Sequence, residues 1–285
     1  MRCYLTCVVL LVVLSGCTLA ARPITGDLHG EIFWENTVYL RGDVTIEEGA
    51  TLHIVPGTQV VFLPPVEGED LLRIHPFFPG SELIVRGRIL ARGTAEAPIV
   101  FRAAREDAGA GSWGAVNLRQ SPEAVFSHCI FTQADSAIHS FDSQVRVTQS
   151  IFQDNLVALR FNTSDMHISH NLIRGNDAGI RFHYGAPVIE FNHLVDNGRA
   201  FFFTSHPRDY VIRYNNILDS RDYAAVLGEE VPEDVLMADN HWGTNDPERI
   251  EARFFDGRRL SYLGNILYLP LAQHPFPDAG PAWSP

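Results

Sequence analysis

The chain has 285 residues and a formal net charge of −12 at pH 7, from 22 basic and 34 acidic residues. This acidic balance argues against nucleic acid and anionic lipid headgroups as general partners, because both carry negative charge themselves. All 22 cations are arginines, so lysine-based catalysis is excluded.

The first 16 residues are predicted to be a lipoprotein signal peptide. Arg2 makes the start positive, and residues 8–14 form an apolar run. This run is too short to span a bilayer, which needs roughly 20 apolar residues. The sequence LSGC at residues 14–17 resembles the bacterial lipobox, in which the cysteine receives a diacylglyceryl thioether and becomes the first residue after cleavage.

Cys17 is therefore the predicted lipid-attachment residue, and residues 17–33 are predicted to be a tether. An ordinary signal peptide cut near residues 19–21 is the alternative. Thr18 in place of aspartate favours delivery to the outer membrane of a bacterial cell. Cys129 is the one cysteine predicted to remain in the folded domain, where a small buried residue belongs, so no intramolecular disulfide is expected.

Residues 34–243 are predicted to form a solenoid. A polar or small residue recurs there in one register, at spacings of 21 to 25 residues, which is typical of repeat architectures. The six positions of this ladder are Cys129, Ser150, Asn171, Asn192, Asn215 and Asn240.

Apolar columns accompany the ladder, three residues before it and two residues after it. Asn155, Asn176 and Asn197 form a second asparagine column. Further apolar columns consist of Ile138, Leu159, Ile180 and Phe201, and of Phe161, Phe182 and Phe203. Because alternate side chains of a strand point to the same face, this pattern predicts that each unit is one turn of a parallel β coil.

The asparagines of the structural ladder, Asn171, Asn192, Asn215 and Asn240, are predicted to lie at bends between strands. Asparagine tolerates the left-handed backbone conformation expected at such a bend, and its amide can bond to the turns above and below. Stacked amides satisfy buried polar groups that otherwise cost about 1–3 kcal/mol each. This explains the repeat without giving any ladder asparagine a catalytic role.

Longer motifs carry a family resemblance. Residues 42–62 (GDVTIEEGATLHIVPGTQVVF), 83–94 (LIVRGRILARGT) and 240–250 (NHWGTNDPERI) resemble the opening and closing rungs of right-handed parallel β-helix repeat proteins of the pectate-lyase-like superfamily. The resemblance implies an all-β fold, a single-stranded right-handed parallel β-helix solenoid with a short C-terminal capping helix. It does not imply one activity, because the scaffold hosts lyases, hydrolases and epimerases.

Three segments are predicted to lie outside the regular coil. Proline and glycine break the strand pattern in residues 64–82, which indicates a loop or insertion. Residues 244–272 are predicted to be a C-terminal cap, whose helix begins near Asp246 with proline in its first turn. Residues 273–285 are rich in proline and are predicted to be a loose tail.

Outward positions between the apolar columns are the candidate ligand-binding residues: His139, Arg160, Arg181, Asn162 and His183. Stacked arginines at roughly 4.8 Å per rung can pair with the carboxylates of a uronate chain. A solvated sheet face with ordinary polar residues is the alternative interpretation.

No catalytic residue, cofactor or metal site is predicted. A calcium-dependent lyase site needs several acids on adjacent rungs, and the acids near this face fall at scattered phases. The 12 histidines show no clear metal-ligand spacing.

The function predicted from the sequence is that of a lipid-anchored bacterial envelope protein, acting as a non-catalytic binding or scaffold module for a glycan or protein partner. A structural spacer that holds an accessory component away from the membrane is a separate hypothesis. The alternative is a carbohydrate-active enzyme, a polysaccharide lyase or hydrolase, that uses the exposed Arg160/Arg181 face.

Overall fold

The computed structural model describes residues 22–65 and 77–285. They form an all-β parallel solenoid of about nine turns, which confirms the predicted fold class. The predicted signal peptide and Cys17 lie outside the described residues, as does the middle of the predicted insertion. No helix in the described ranges has the length and apolar character needed to cross a membrane.

The elements follow one another as short strands, each a side of one turn. In chain order they are β1 (Ile24–Leu28), β2 (Glu31–Trp34), β3 (Thr37–Ile46), β4 (Thr51–Ile54), β5 (Gln59–Phe62), β6 (Leu83–Val85), β7 (Arg88–Arg92), β8 (Ile99–Ala103), β9 (Trp113–Arg119), β10 (Glu123–Ser127), β11 (Cys129–Thr132), β12 (Ala134–Phe141), β13 (Gln144–Thr148), β14 (Ile151–Gln153), β15 (Val157–Asn162), β16 (Asp165–Ser169), β17 (Leu172–Arg174), β18 (Ala178–His183), β19 (Val188–Glu190), β20 (His193–Val195), β21 (Arg199–Ser205), β22 (Val211–Arg213), β23 (Asn216–Leu218), β24 (Tyr223–Glu230), β25 (Val235–Leu236), α1 (Pro247–Glu251), β26 (Phe254–Phe255) and β27 (Ile266–Leu267).

Three faces run along the solenoid. The first face is an eight-stranded parallel sheet in the order β2-β4-β7-β10-β13-β16-β19-β22. The second face contains β5, β8, β11, β14, β17, β20 and β23, and the third face contains β1, β6, β9, β12, β15, β18, β21, β24 and β26. Strand β3 pairs with β5 on the second face and with β6 on the third. It therefore runs round the corner and joins both faces into one 17-stranded sheet.

The core lies inside the coil and is built from the predicted apolar columns, whose members are all buried. Phe101, Phe131 and Phe152 stack on consecutive rungs of the second face, with ring centroids 4.5 and 4.8 Å apart. Phe161 and Phe182 stack in the same way on the third face at 5.0 Å. Parallel strands in register bring identical positions of successive rungs together, so one apolar column packs against itself along the whole axis.

The asparagine columns are hydrogen-bonded ladders at two corners of the coil. The Oδ1 atom of Asn192 accepts from both the backbone N–H and the Nδ2 of Asn171, at 3.0 and 2.9 Å. The Oδ1 of Asn176 does the same for Asn155, at 3.0 and 2.9 Å. Because every ladder asparagine is buried, these bonds satisfy polar groups that have no access to water.

The left-handed conformation, however, does not fall on the asparagines as expected. It falls on the residue before each ladder position, for example His170 (φ 55°) before Asn171 and Phe191 (φ 54°) before Asn192. The preceding residue turns the chain, and the asparagine side chain then lies inside the corner where it can bond to the next rung.

Both ends of the described chain differ from the sequence prediction. Strand β1 and all but the last residue of β2 lie in the predicted tether. They belong to the coil, because β1 pairs with β3 and β2 pairs with β4. At the other end, the proline-rich tail lies along the coil. Phe276 exchanges two hydrogen bonds with Asn216, both 2.9 Å, and Trp283 Nε1 donates to the Gln149 carbonyl at 2.7 Å. Proline prevents strand pairing, but side-chain contacts hold this tail instead.

The capping helix is present as predicted. Asp246 is its N-cap, with its carboxylate accepting from the Glu248 N–H at 3.1 Å. Pro247 occupies the first turn, and Ile250 is buried against the end of the core. A polar cap of this kind covers the last apolar rung, as solenoids require.

Candidate functional site

The third face carries the predicted ligand-binding residues in two parallel files of outward side chains. In the first file, which we call the arginine file, Arg160 pairs in register with His139 on one side and with Arg181 on the other, and Arg181 pairs with Phe202. In the second file, Asn162 pairs with His183. Inward neighbours such as Leu159 and Phe161 are buried, so strand parity directs both files outward.

Two arginines lie beside Phe202, and a third lies on the adjacent rung. The guanidinium carbons of Arg181 and Arg199 lie 5.1 and 5.6 Å from the centroid of this ring, within the range of cation–π contact. Arg160 occupies the adjacent rung of Arg181. Within the described part of the chain, none of these three arginines forms an ion pair within 4.0 Å.

A shallow groove borders this cluster. It is lined by Arg181, Arg199 and Phe202, and by Arg221, whose guanidinium pairs with Asp177 at 3.4 Å. The groove thus combines an apolar ring with guanidinium groups and with the carboxylates of Asp177 and Asp222. Arg181 and Arg199 form no ion pair within 4.0 Å in the described chain. Such a combination suits a ligand that has both carbon surface and anionic groups.

Sequence reasoning missed a buried group beneath the other end of the arginine file. Glu82 is fully buried, and its Oε1 accepts from the Phe78 N–H while its Oε2 accepts from Asn117 Nδ2, both at 2.9 Å. Asn117 Oδ1 lies 2.9 Å from His139 Nδ1. Asn117 also pairs in register with His139, so its spacing of 22 residues from His139 was the available signal. Glu82 has no such signal, because it is the last residue of the irregular insertion.

The pKa of the Glu82 carboxyl lies far from its usual value. Burial raises its pKa to about 8, and the negative charges of Asp43 and Asp135 act in the same direction. The hydrogen bonds from Asn117 and Phe78 oppose this shift but do not overcome it. Glu82 was not among the acids considered from the sequence.

The pKa of His139 is shifted in the opposite direction. Burial, and then the positive charges of Arg160 and Arg119, lower its pKa to about 4, so the imidazole is neutral at pH 7. The ring of Phe78 lies edge-on to His139, with centroids 5.1 Å apart, and 5.5 Å from the guanidinium carbon of Arg160. The Nε atom of Arg160 is buried and has no hydrogen-bond partner among the described residues.

The second file belongs to a separate polar cluster. His183 Nδ1 lies 2.7 Å from Ser205 Oγ, and Ser205 Oγ donates to Glu230 Oε2 at 3.0 Å. Asn162 lies one rung away from His183. The structure therefore places all five predicted residues on one face but brings only His139, Arg160 and Arg181 into one file.

The other reactive side chains provide neither an exposed nucleophile nor a metal site within the described residues. Cys129 is free and buried, and burial raises the pKa of its thiol, so it lacks the exposed thiolate of a nucleophile. In residues 22–65 and 77–285, no group of three or more His, Cys, Asp or Glu side chains is placed to hold a metal ion.

Comparison with known proteins agrees with the fold. The family model described as "Right handed beta helix region" matches residues 109–234, a span that contains His139, Arg160 and Arg181. No curated protein matches the chain, and no solved structure does.

Proposed function

Since this chain is a right-handed parallel β-helix repeat protein, we propose that its third face binds an acidic glycan as a non-catalytic module. The observation that carries the proposal is the group of Arg160, Arg181 and Arg199, none of which forms an ion pair within 4.0 Å among the described residues of this acidic protein. Neighbouring guanidiniums repel one another, and the charge of Arg181 helps to lower the pKa of Arg160, after the larger effect of burial. An anionic ligand relieves this repulsion.

A glycan suits the surface better than an isolated anion does. Arg160 and Arg181 lie on adjacent rungs, roughly 4.8 Å apart, so they can pair with acids on two consecutive units of a linear polymer. Arg181 offers a planar fork for bidentate pairing with a carboxylate. Phe202, half-buried beside it, offers an apolar face for a sugar ring. Protein partners with acidic side chains are the competing ligand class.

The binding test uses a double variant and a matched control. Arg160→Ala with Arg181→Ala is expected to weaken binding to polygalacturonate by roughly 10-fold to 100-fold, because each lost charge-assisted hydrogen bond contributes about 1.5 kcal/mol or more. Arg92→Ala with Arg146→Ala removes the same charge from exposed positions of the first face. Equal weakening by both pairs, measured by calorimetry, contradicts a site on the third face and indicates only general electrostatic attraction.

A carbohydrate-active enzyme is the second candidate, and one observation favours it. Glu82 and His139 have strongly displaced pKa values and lie beside an arginine file, a combination that is common at active sites. Both oxygens of Glu82 are engaged and buried, however, so its carboxyl organises Asn117 rather than facing a ligand. The enzyme is established instead if the wild type releases unsaturated or reducing ends from polyuronates and the arginine double variant does not.

The proposal places the protein in the bacterial envelope, anchored by lipid on Cys17 and delivered to the outer membrane. Its support is the LSGC sequence at residues 14–17 after a short apolar run. Metabolic labelling with palmitate is expected to mark the wild type and a Cys129→Ser control but not Cys17→Ser. Equal labelling of the two variants contradicts the anchor.

A further inference from the structure

The corner between the first and second faces carries large side chains in the left-handed backbone conformation. They are the residues just before the ladder positions, with φ between 51° and 59°: His128, Gln149, His170, Phe191 and Tyr214. Bulky residues rarely adopt this conformation, which favours Gly, Asn and Asp. Other corners of the coil place aspartate there, for example Asp142 and Asp196. We call this line of five residues the tail corner.

The rings of the tail corner contact the C-terminal tail. The ring centroids of Phe191 and Tyr214 lie 5.2 Å apart. Phe276 of the tail packs edge-on against both rings, with centroids at 6.3 and 5.6 Å. Farther along the corner, the ring of Trp283 lies 5.8 Å from that of His128. These large side chains therefore serve contacts with the tail that the turns of the coil do not themselves need.

The backbone of the tail is also matched to the corner. The Gly280 N–H donates to the Phe191 carbonyl at 2.8 Å, and the Ala282 N–H donates to Gln149 Oε1 at 2.7 Å. The residue between these two donors is a proline, which has no N–H to bond. Gly280 has φ 104°, and a Cβ atom there would lie 3.3 Å from the Cβ of His193. The fit therefore depends on the sequence of the tail.

The docked tail is nevertheless only lightly covered. Every residue of 273–285 except Gly280 is at least partly exposed, including the anchors Phe276 and Trp283. Segments with few buried contacts open locally at far lower free energy than the whole domain unfolds. Residues 273–275, which lead into the tail, are exposed and can act as the hinge. One opening frees both the tail and the corner that fits it.

We infer that the tail corner is an interaction surface for a second copy of this chain, which docks there by exchange of tails. Exchange repeats every contact of the docked tail between two molecules, so it requires no new surface. The charges permit it, because the tail corner has no Asp, Glu or Arg and the tail has Asp278 as its single acid. Two copies of a chain with a net charge of −12 can therefore meet where little charge opposes them. This surface is separate from the glycan-binding face.

Competition from the chain's own tail sets the conditions of the test. A segment on a short linker has an effective concentration of about 1 mM at its own site, so wild-type chains exchange tails mainly at comparable density. Two variants remove this competition. Gly280→Ala keeps the corner but places a strained and crowded residue in the tail. Phe191→Asn with Tyr214→Asn keeps the tail but removes two rings of the corner, and asparagine suits the left-handed turn.

Analytical ultracentrifugation of the two variants tests the exchange. Each variant alone is expected to sediment as one chain, whereas an equimolar mixture at about 50 μM is expected to form a heterodimer with a Kd on the order of 10 μM. Excess peptide with the sequence of residues 273–285 is expected to dissociate the heterodimer. Tyr184→Asn is the matched control, because Tyr184 also has a left-handed backbone (φ 57°) but lies at another corner. Its mixture with Gly280→Ala is expected to stay monomeric.

The inference is overturned if the two folded variants form no heterodimer, if either variant dimerises alone, or if the peptide does not dissociate the heterodimer. It is also overturned if the wild type stays monomeric at about 1 mM. Circular dichroism checks that each variant is folded. If the asparagine variant does not fold, Gln149→Ala takes its place, because it removes the acceptor of the Ala282 N–H. Binding of polygalacturonate is expected to be unchanged in all these variants, so the glycan proposal is tested separately.

Discussion

Replacing Asn192 by leucine probes the ladder at a residue whose side chain makes five hydrogen bonds. The Nδ2 of Asn192 donates to the carbonyl of Ile168 at 2.9 Å, to that of Glu190 at 3.0 Å and to Asn215 Oδ1 at 3.0 Å. Its Oδ1 accepts from the backbone N–H and the Nδ2 of Asn171. Leucine has a similar volume but can make none of these bonds, so the substitution isolates their contribution.

The expected loss follows from the groups left unpaired. Among the described residues, Asn171 loses the one acceptor of its buried N–H and one acceptor of its amide. Each orphaned group costs about 1–3 kcal/mol, so Asn192→Leu is expected to lower the free energy of unfolding by roughly 2–6 kcal/mol. Asn192→Ser is expected to lose less. Ser150, which occupies the same ladder position, accepts the N–H of Cys129 through Oγ at 3.1 Å.

Urea unfolding followed by circular dichroism measures this series. Asn162→Leu is the matched control, because it makes the same chemical change on the outer side of the coil, where Asn162 is partly exposed. This control is expected to change stability by about 0.5 kcal/mol or less. If Asn192→Leu falls within that range as well, the ladder bonds do not stabilise the coil and the reasoning is refuted.

Two further predictions concern the irregular segments. The pKa of Glu82 is raised from 4.5 to about 8, so its contribution to stability is fully present below pH 4.5 and is lost as pH rises towards 8. The lowered pKa of His139 makes stability rise with pH instead, but only between pH 4 and 6.5. Between pH 6.5 and 8 the free energy of unfolding of the wild type is therefore expected to fall by up to roughly 2 kcal/mol. Urea unfolding of the wild type and of Glu82→Gln measures this, and a stability difference between the two that does not change with pH contradicts the prediction. Deleting residues 273–285 removes the contacts of Phe276 and Trp283 and is expected to lower the free energy of unfolding by about 2–4 kcal/mol. Deleting only residues 284–285 is the control, and its unfolding midpoint is expected to stay unchanged. If the longer deletion also leaves the midpoint unchanged, the tail does not stabilise the coil.

The repeat made most of the coil predictable. Leu159 and Phe161 are inward because they alternate with Arg160, and the 21-residue spacing brings Arg160 next to Arg181. Parity along a strand and register between rungs are both encoded locally. The file that contains His139 could therefore be assigned from the sequence.

The position and the pKa of Glu82 were not predictable in the same way. Glu82 lies 35 residues before Asn117 and at the end of an irregular insertion, so no period relates the two residues. The perturbed pKa of Glu82 depends on burial and on the charges of Asp43 and Asp135. Those quantities exist only once separate rungs have been brought together.

The amino-acid sequence by itself determined the period of this solenoid, its inward columns and the face on which His139, Arg160 and Arg181 lie, because each depends on alternation within a strand and on spacing between rungs. Only the tertiary structure decided that Glu82 lies beneath that face and that the tail follows the coil as far as Gln149. Segments without a period have no local rule for their position. Their place is chosen by the hydrogen bonds and ring contacts that become available after the coil has formed.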